Sequence, residues 1–137
     1  MEAGPMTSPQ ASGRTDLHHA AVDNDPERVR ALIAAGSAVN ARDRDGFTPL
    51  HFAAQEHAVT IARLLIDSGA DIDAANRHGN TPLFTAVFNS SGRGEMIELL
   101  RAAGADPHLA NASGQTPVGR ASLIGNYDVA RFFGDMP

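Results

Sequence analysis

Cysteine is absent from the 137-residue chain, which excludes disulfides, thiolate nucleophiles and Cys-ligated zinc. Lysine is absent too, all eleven basic side chains being Arg, so a Walker-type phosphate loop is excluded for want of the Lys that reaches the phosphates. No apolar run approaches the ~20 residues needed to span a bilayer. The opening MEAGPMTSPQAS carries an acid at Glu2 and two prolines, with neither the positive start nor the apolar segment of a secretory signal. Residues 1–12 are therefore expected to be a disordered lead-in, and the protein cytoplasmic. There is no Gly-x-Ser-x-Gly, no cleft-forming pair of carboxylates and no Gly-rich phosphate loop, so no catalytic or cofactor site is expected. The Arg residues are scattered among sixteen acids, for a net charge of −5, which argues against a nucleic-acid partner, since phosphate neutralisation needs clustered cations. Arg-only basic charge with abundant Ala and Gly reads as a high-GC coding bias, hence a bacterial source.

What the chain does have is repetition. GFTPLHFAA at 46–54 is echoed by GRTDLHHAA from Gly13, GNTPLFTAV from Gly79 and GQTPVGRAS from Gly114. These glycines are spaced by 33, 33 and 35 residues, and a second series, Gly36, Gly69 and Gly104, by 33 and 35. One period and one slip fit both series. The interval from Thr81 to Gly92 is eleven residues where Thr48 to His57 is nine, which places two extra residues in FNSSG, in the loop between two helices.

Each unit reads as a pair of short helices. Thr48 caps the first, and Pro49 at its first position costs little because its missing N–H would be unpaired there anyway. Asn24, His57 and Gly125 stand where that helix ends and a residue tolerant of left-handed dihedrals is wanted. Ile61, Leu64 and Leu65, at i, i+3 and i+4, give the second helix an apolar stripe, and Gly69 ends it. Two short helices cannot bury so much apolar surface alone, so the units must stack.

These residues carry a family resemblance. TPLHFAA and LLIDSGADIDA, in one register with the 33-residue period, resemble the ankyrin repeat from Gly13 to the C-terminus. The resemblance implies an all-α solenoid of four helix-turn-helix units, at about 13–45, 46–78, 79–113 and 114–137, with projecting β-turn fingers. It further implies a non-catalytic, monomeric module binding another protein through the concave surface of fingers and first helices. An immunity or inhibitor protein acting on a toxin or enzyme is the concrete form of that expectation, and a stabilising subunit of an enzyme complex its alternative. The departures are specific: Asp16 replaces the Pro of the first unit, Phe84 the His of the third, and Gly119 and Arg120 stand for His and an apolar residue in the fourth. Arg28 and Arg30 suit a first unit with one wet face, and Phe132 and Phe133 fill the Leu positions of a capping unit.

His18 and His51 are expected to bond the neighbouring Thr and backbone rather than act as bases. His19, His57, His78 and His108 show no ligand spacing, so no metal is expected. Candidate partner-binding residues are those at finger tips and first-helix ends: Arg42, Arg44, Asp45, Phe47, Gln55 and Glu56 in the second unit, and Arg77, His78, Asn80, Phe88 and Asn89 in the third. Ser113, Gln115 and Leu123 are their counterparts in the fourth, with Ala75, Ala112 and Ile124 in the same register. Phe47, between Arg44 and Gln55, reads as an exposed aromatic anchor with a polar surround. In the other reading Phe47 packs on its own finger and the RDRD of 42–45 is a solvated turn.

Overall fold

The computed structural model describes residues 12–123 and 129–134; nearly all of the expected lead-in, Ile124 and Gly125 lie outside them. The helices are α1 (Asp16–Val22), α2 (Pro26–Ala34), α3 (Pro49–Gln55), α4 (Val59–Asp67), α5 (Pro82–Phe88), α6 (Glu95–Ala102) and α7 (Pro117–Leu123), followed by a 3-10 turn at Val129–Phe133. No strand is formed among the described residues. The all-α repeat solenoid implied by the sequence is what the chain adopts.

The first helix of each pair starts for the reason read from the sequence. Thr15, Thr48 and Thr81 hold extended backbone, with φ near −93°, −98° and −90°, and their hydroxyls accept the N–H three residues on. Pro49 and Pro82 then open α3 and α5. Asn24 and His57 close the first helices in left-handed backbone, at φ 53° and 55°. In the third unit Ser91 and Gly92 share that task, at φ 50° and 85°.

Packing follows columns one period apart. Leu17, Leu50 and Leu83 stack through the inner layer of α1, α3 and α5, and α7 continues it. In the outer layer of α2, α4 and α6, Ile61 and Leu65 line up with Met96 and Leu100, all buried. Val129 and Phe133 extend both columns at the same four-residue spacing, although the sequence led us to expect a helix there. A five-residue turn presents two apolar residues with less chain, and 3-10 geometry suits so short a piece. At the other end, Arg28 occupies the column of Ile61, is exposed, and lies 3.8 Å from Asp16 and 3.9 Å from Asp23, so the end of the stack is wet.

The two-residue insertion falls in the α5–α6 loop, leaving α5 as long as α3. Deleting Ser90 and Ser91 should therefore keep the chain folded, at a cost of about 1 kcal/mol, because Gly92 already holds the positive φ that the shortened turn needs. Circular dichroism checks this: loss of helical signal would mean that buried Ser90 is required for folding.

Candidate functional site

Three fingers project from the helical layers, and each is closed by one side chain. Asp43 Oδ1 accepts from the N–H of Asp45 at 2.9 Å and Phe47 at 2.8 Å. Asn76 Oδ1 accepts from His78 and Asn80, and Asn111 Oδ1 from Ser113 and Gln115, in the same geometry. The fingers are also tied in series: Arg77 N–H donates to Asp45 O, and Ala112 N–H to His78 O, both at 2.9 Å. A Cβ on Gly79, at φ 77°, would come within 2.7 Å of Ala112 N, so the close approach of fingers depends on glycine there.

Two histidines bond the neighbouring Thr and backbone, as expected from the sequence, and in doing so lock helices to fingers. His51 Nδ1 accepts the Thr48 N–H at 3.1 Å, which puts the ring proton on Nε2, and Nε2 donates to Asn80 O at 2.8 Å. His18 does the same with Thr15 N–H and Phe47 O, at 3.0 and 2.8 Å. Burial lowers both pKa values, that of His51 to about 4, against the smaller raising effect of the carbonyl each ring meets. Neither ring is available as a general base. Phe84 has no such bond to give, so the bridge from α5 to the third finger is missing.

A cavity of about 500 Å³ opens at that place. It brings together Phe47, Gln55, His78, Asn80, Phe88, Asn89, Ser113 and Gln115 of the residues expected from sequence, with Ala112 from the same register. It adds Asn76, Phe84, Thr85 and Asn111, which sequence reasoning had not placed in the site. A readable signal existed for two of these: Asp43, Asn76 and Asn111 recur one period apart.

The remaining candidates lie outside the cavity. Arg42 donates to Ala75 O, and Arg77 pairs with Asp45 at 2.8 Å across the fingers; these are exposed links that brace the array. Arg44 and Glu56 are exposed, and Glu56 accepts from Gln55 at 3.0 Å. Leu123, 68% exposed, ends α7 in the same column as Phe88, 59% exposed at the end of α5.

The structure corrects the picture of Phe47 as an exposed ring. Phe47 is half-buried, stacked on Phe52 with centroids 5.2 Å apart and tilted against His51 at 5.4 Å. The finger folds back over α3 and lays the ring on the helix it precedes. Asp43 of RDRD is likewise buried, not solvated.

The repeating pair of helices, the finger and the His bridge agree with one family. A family model described as "Ankyrin repeats (3 copies)" matches residues 17–111. The chain belongs to the ankyrin-repeat family. A second model, "Ankyrin repeats (many copies)", matches residues 90–133, so the resemblance continues through α7 and the 3-10 turn. No curated protein matches the chain closely enough to count as a relative. Ankyrin repeats are generally protein–protein interaction modules without catalysis of their own. No helix among the described residues is long and apolar enough to cross a membrane.

Proposed function

We propose that this ankyrin-repeat chain binds a partner protein through the concave surface formed by its fingers and inner helices. The observation that carries this reading is the cavity between the second and third fingers and α5, bordered by the exposed ring of Phe88. Large apolar side chains beside a cleft with polar walls are the composition of an interface centre and rim. The acidic balance of −5 supports the narrower reading, a neutraliser of a basic toxin or enzyme; restored growth on co-expression with that toxin is its test.

The full chain, used as bait in a lysate of its source cell, tests the broader reading. Phe88→Asp should release a captured protein that the unchanged chain and Arg63→Ala retain, Arg63 being exposed on outer helix α4. Capture unaffected by Phe88→Asp, Gln115→Ala and Arg44→Ala alike would overturn the concave assignment.

Phe47→Ala separates packing from binding. The ring rests on Phe52 and His51, so truncation should cost about 2 kcal/mol of stability, below the full cost of emptying a buried Phe site. An unchanged melting temperature with weakened binding would return Phe47 to the role of anchor.

A further inference from the structure

The cavity differs from the rest of the concave face in its chemistry. Its walls are carboxamides: Asn76 and Asn80 on the second finger, Asn111 and Gln115 on the third. Asn76 is 6% exposed, and its Oδ1 is spent on its own finger. Its Nδ2 makes no bond among the described residues. The side-chain amide of Gln115 is equally uncommitted, whereas Asn111 Nδ2 donates to Asn80 Oδ1 at 2.8 Å. Uncommitted carboxamides in a cleft offer both donors and acceptors, the complement of an extended peptide backbone.

The outer edge supplies the other half of the recognition. Phe88 and Leu123 end neighbouring inner helices and are the most exposed large apolar side chains among the described residues. Arg120 lays its guanidinium over the Phe88 ring, 4.9 Å from the centroid. Its Nε is closed to solvent and has no hydrogen-bond partner, and no carboxylate among the described residues pairs with it. Packing on an aromatic face holds this cation in place. A guanidinium fixed in that way is preorganised for a carboxylate, which it takes with two parallel bonds. Phe88 itself lines the cavity, so the cation over its ring stands at the cavity's edge, beside the carboxamide walls.

We propose that this cavity takes an extended segment of the partner protein in which an aliphatic or aromatic side chain stands next to a carboxylate. The backbone of that segment bonds Asn76 and Gln115, its apolar side chain lies against Phe88 and Leu123, and its carboxylate meets Arg120. This deepens the concave-surface reading and rests on it.

The probe is a phage library of random 12-residue peptides panned on the full chain, with enriched sequences resynthesised and labelled for fluorescence anisotropy. Enriched peptides should pair an apolar residue with Asp or Glu within two positions. Arg120→Gln should weaken them roughly tenfold, about 1.4 kcal/mol. Replacing the peptide acid by its amide should do the same, and the two changes together should lose little more, because they remove one interaction. Phe88→Ala, at an exposed position, gives a second variant should Arg120→Gln disturb folding; it should weaken the same peptides with an unchanged thermal melt. Peptides without an acid, or binding unaffected by both variants, would overturn the proposal. Binding sensitive instead to Arg44→Ala would overturn it while leaving the concave reading standing, and binding insensitive to every concave substitution would overturn both. Sedimentation of the chain as a dimer that Arg120→Gln dissociates would assign the cavity to a second copy and equally overturn it.

Discussion

Leu65→Ala should destabilise the protein by about 3 kcal/mol in urea denaturation, against the ~2–5 kcal/mol range for emptying a buried Leu site. Leu65 is fully buried on α4, and its column continues into Leu100 and Phe133 on one side and half-buried Leu32 on the other. In a stacked array each unit is held by its neighbours, so a cavity in the second unit weakens two interfaces at once. The loss is large against the ~5–15 kcal/mol that a domain typically has. Arg63→Ala, two residues earlier and exposed, is the control and should stay within about 0.5 kcal/mol. A Leu65→Ala cost below about 1 kcal/mol would mean that the outer-layer columns do not bear on stability.

Those columns could be read from the sequence because they are periodic. Once Gly69 and Gly104 give the 35-residue step that includes the insertion, Leu65 and Leu100 fall in one stripe, and Thr48 followed by Pro49 marks the start of a helix. The local half of the His bridge was legible from motif chemistry, since Thr and His three residues apart on a first helical turn can bond each other; its reach to the carbonyl of the next finger was not. The fold-back of Phe47 was legible only as the second of two readings, and its seat on α3 was in neither. It depends on where the finger points after Asp43 has closed it, and a ring between Arg44 and Gln55 looks exposed in the sequence. Asp43, Asn76 and Asn111 were visible as a recurrence, yet a carboxylate in RDRD reads as solvated until its Oδ1 is seen to be spent on backbone N–H groups and its Oδ2 on Arg14.

The cavity was hidden for a different reason. It lies at the unit where Phe84 stands in place of the bridging His18 and His51, and the sequence registers only a substitution. Arg120 was noticed as a departure from the repeat, but its placement over Phe88 follows from how α5 and α7 pack, and pattern reading reaches no further than that they are neighbours. The cavity and the Arg120–Phe88 pair lie where the repeat is broken, and the buried columns where it is kept.

The kept bridges should make stability depend on pH, and His51 should dominate. Its ring is fully buried, with Nδ1 accepting from Thr48 and Nε2 donating to the Asn80 carbonyl. A second proton would have to enter at Nδ1, where it meets the Thr48 N–H. Burial therefore holds the folded pKa at about 4, below the ordinary 6.5. Because the folded value is the lower one, the unfolded chain binds more protons between those limits, and stability rises with pH through that window. The contribution is complete above the unfolded value and falls as pH drops from 6.5 towards 4. It amounts to about 3 kcal/mol over the whole window. Between pH 7.5 and 5, above most of the ordinary carboxylate range, about 2 kcal/mol of it should already be gone. His18, lowered by burial in the same direction, steepens the slope. Urea denaturation at a series of pH values measures the effect, and His51→Phe isolates it, since Phe84 shows that this fold accepts Phe at that position. The variant should be less stable at pH 7.5, having lost both bonds, and should show a flatter profile down to pH 5. A His51 ring titrating near 6.5 by NMR, or a variant with an unaltered slope, would show that the bridge is not what couples this fold to protons.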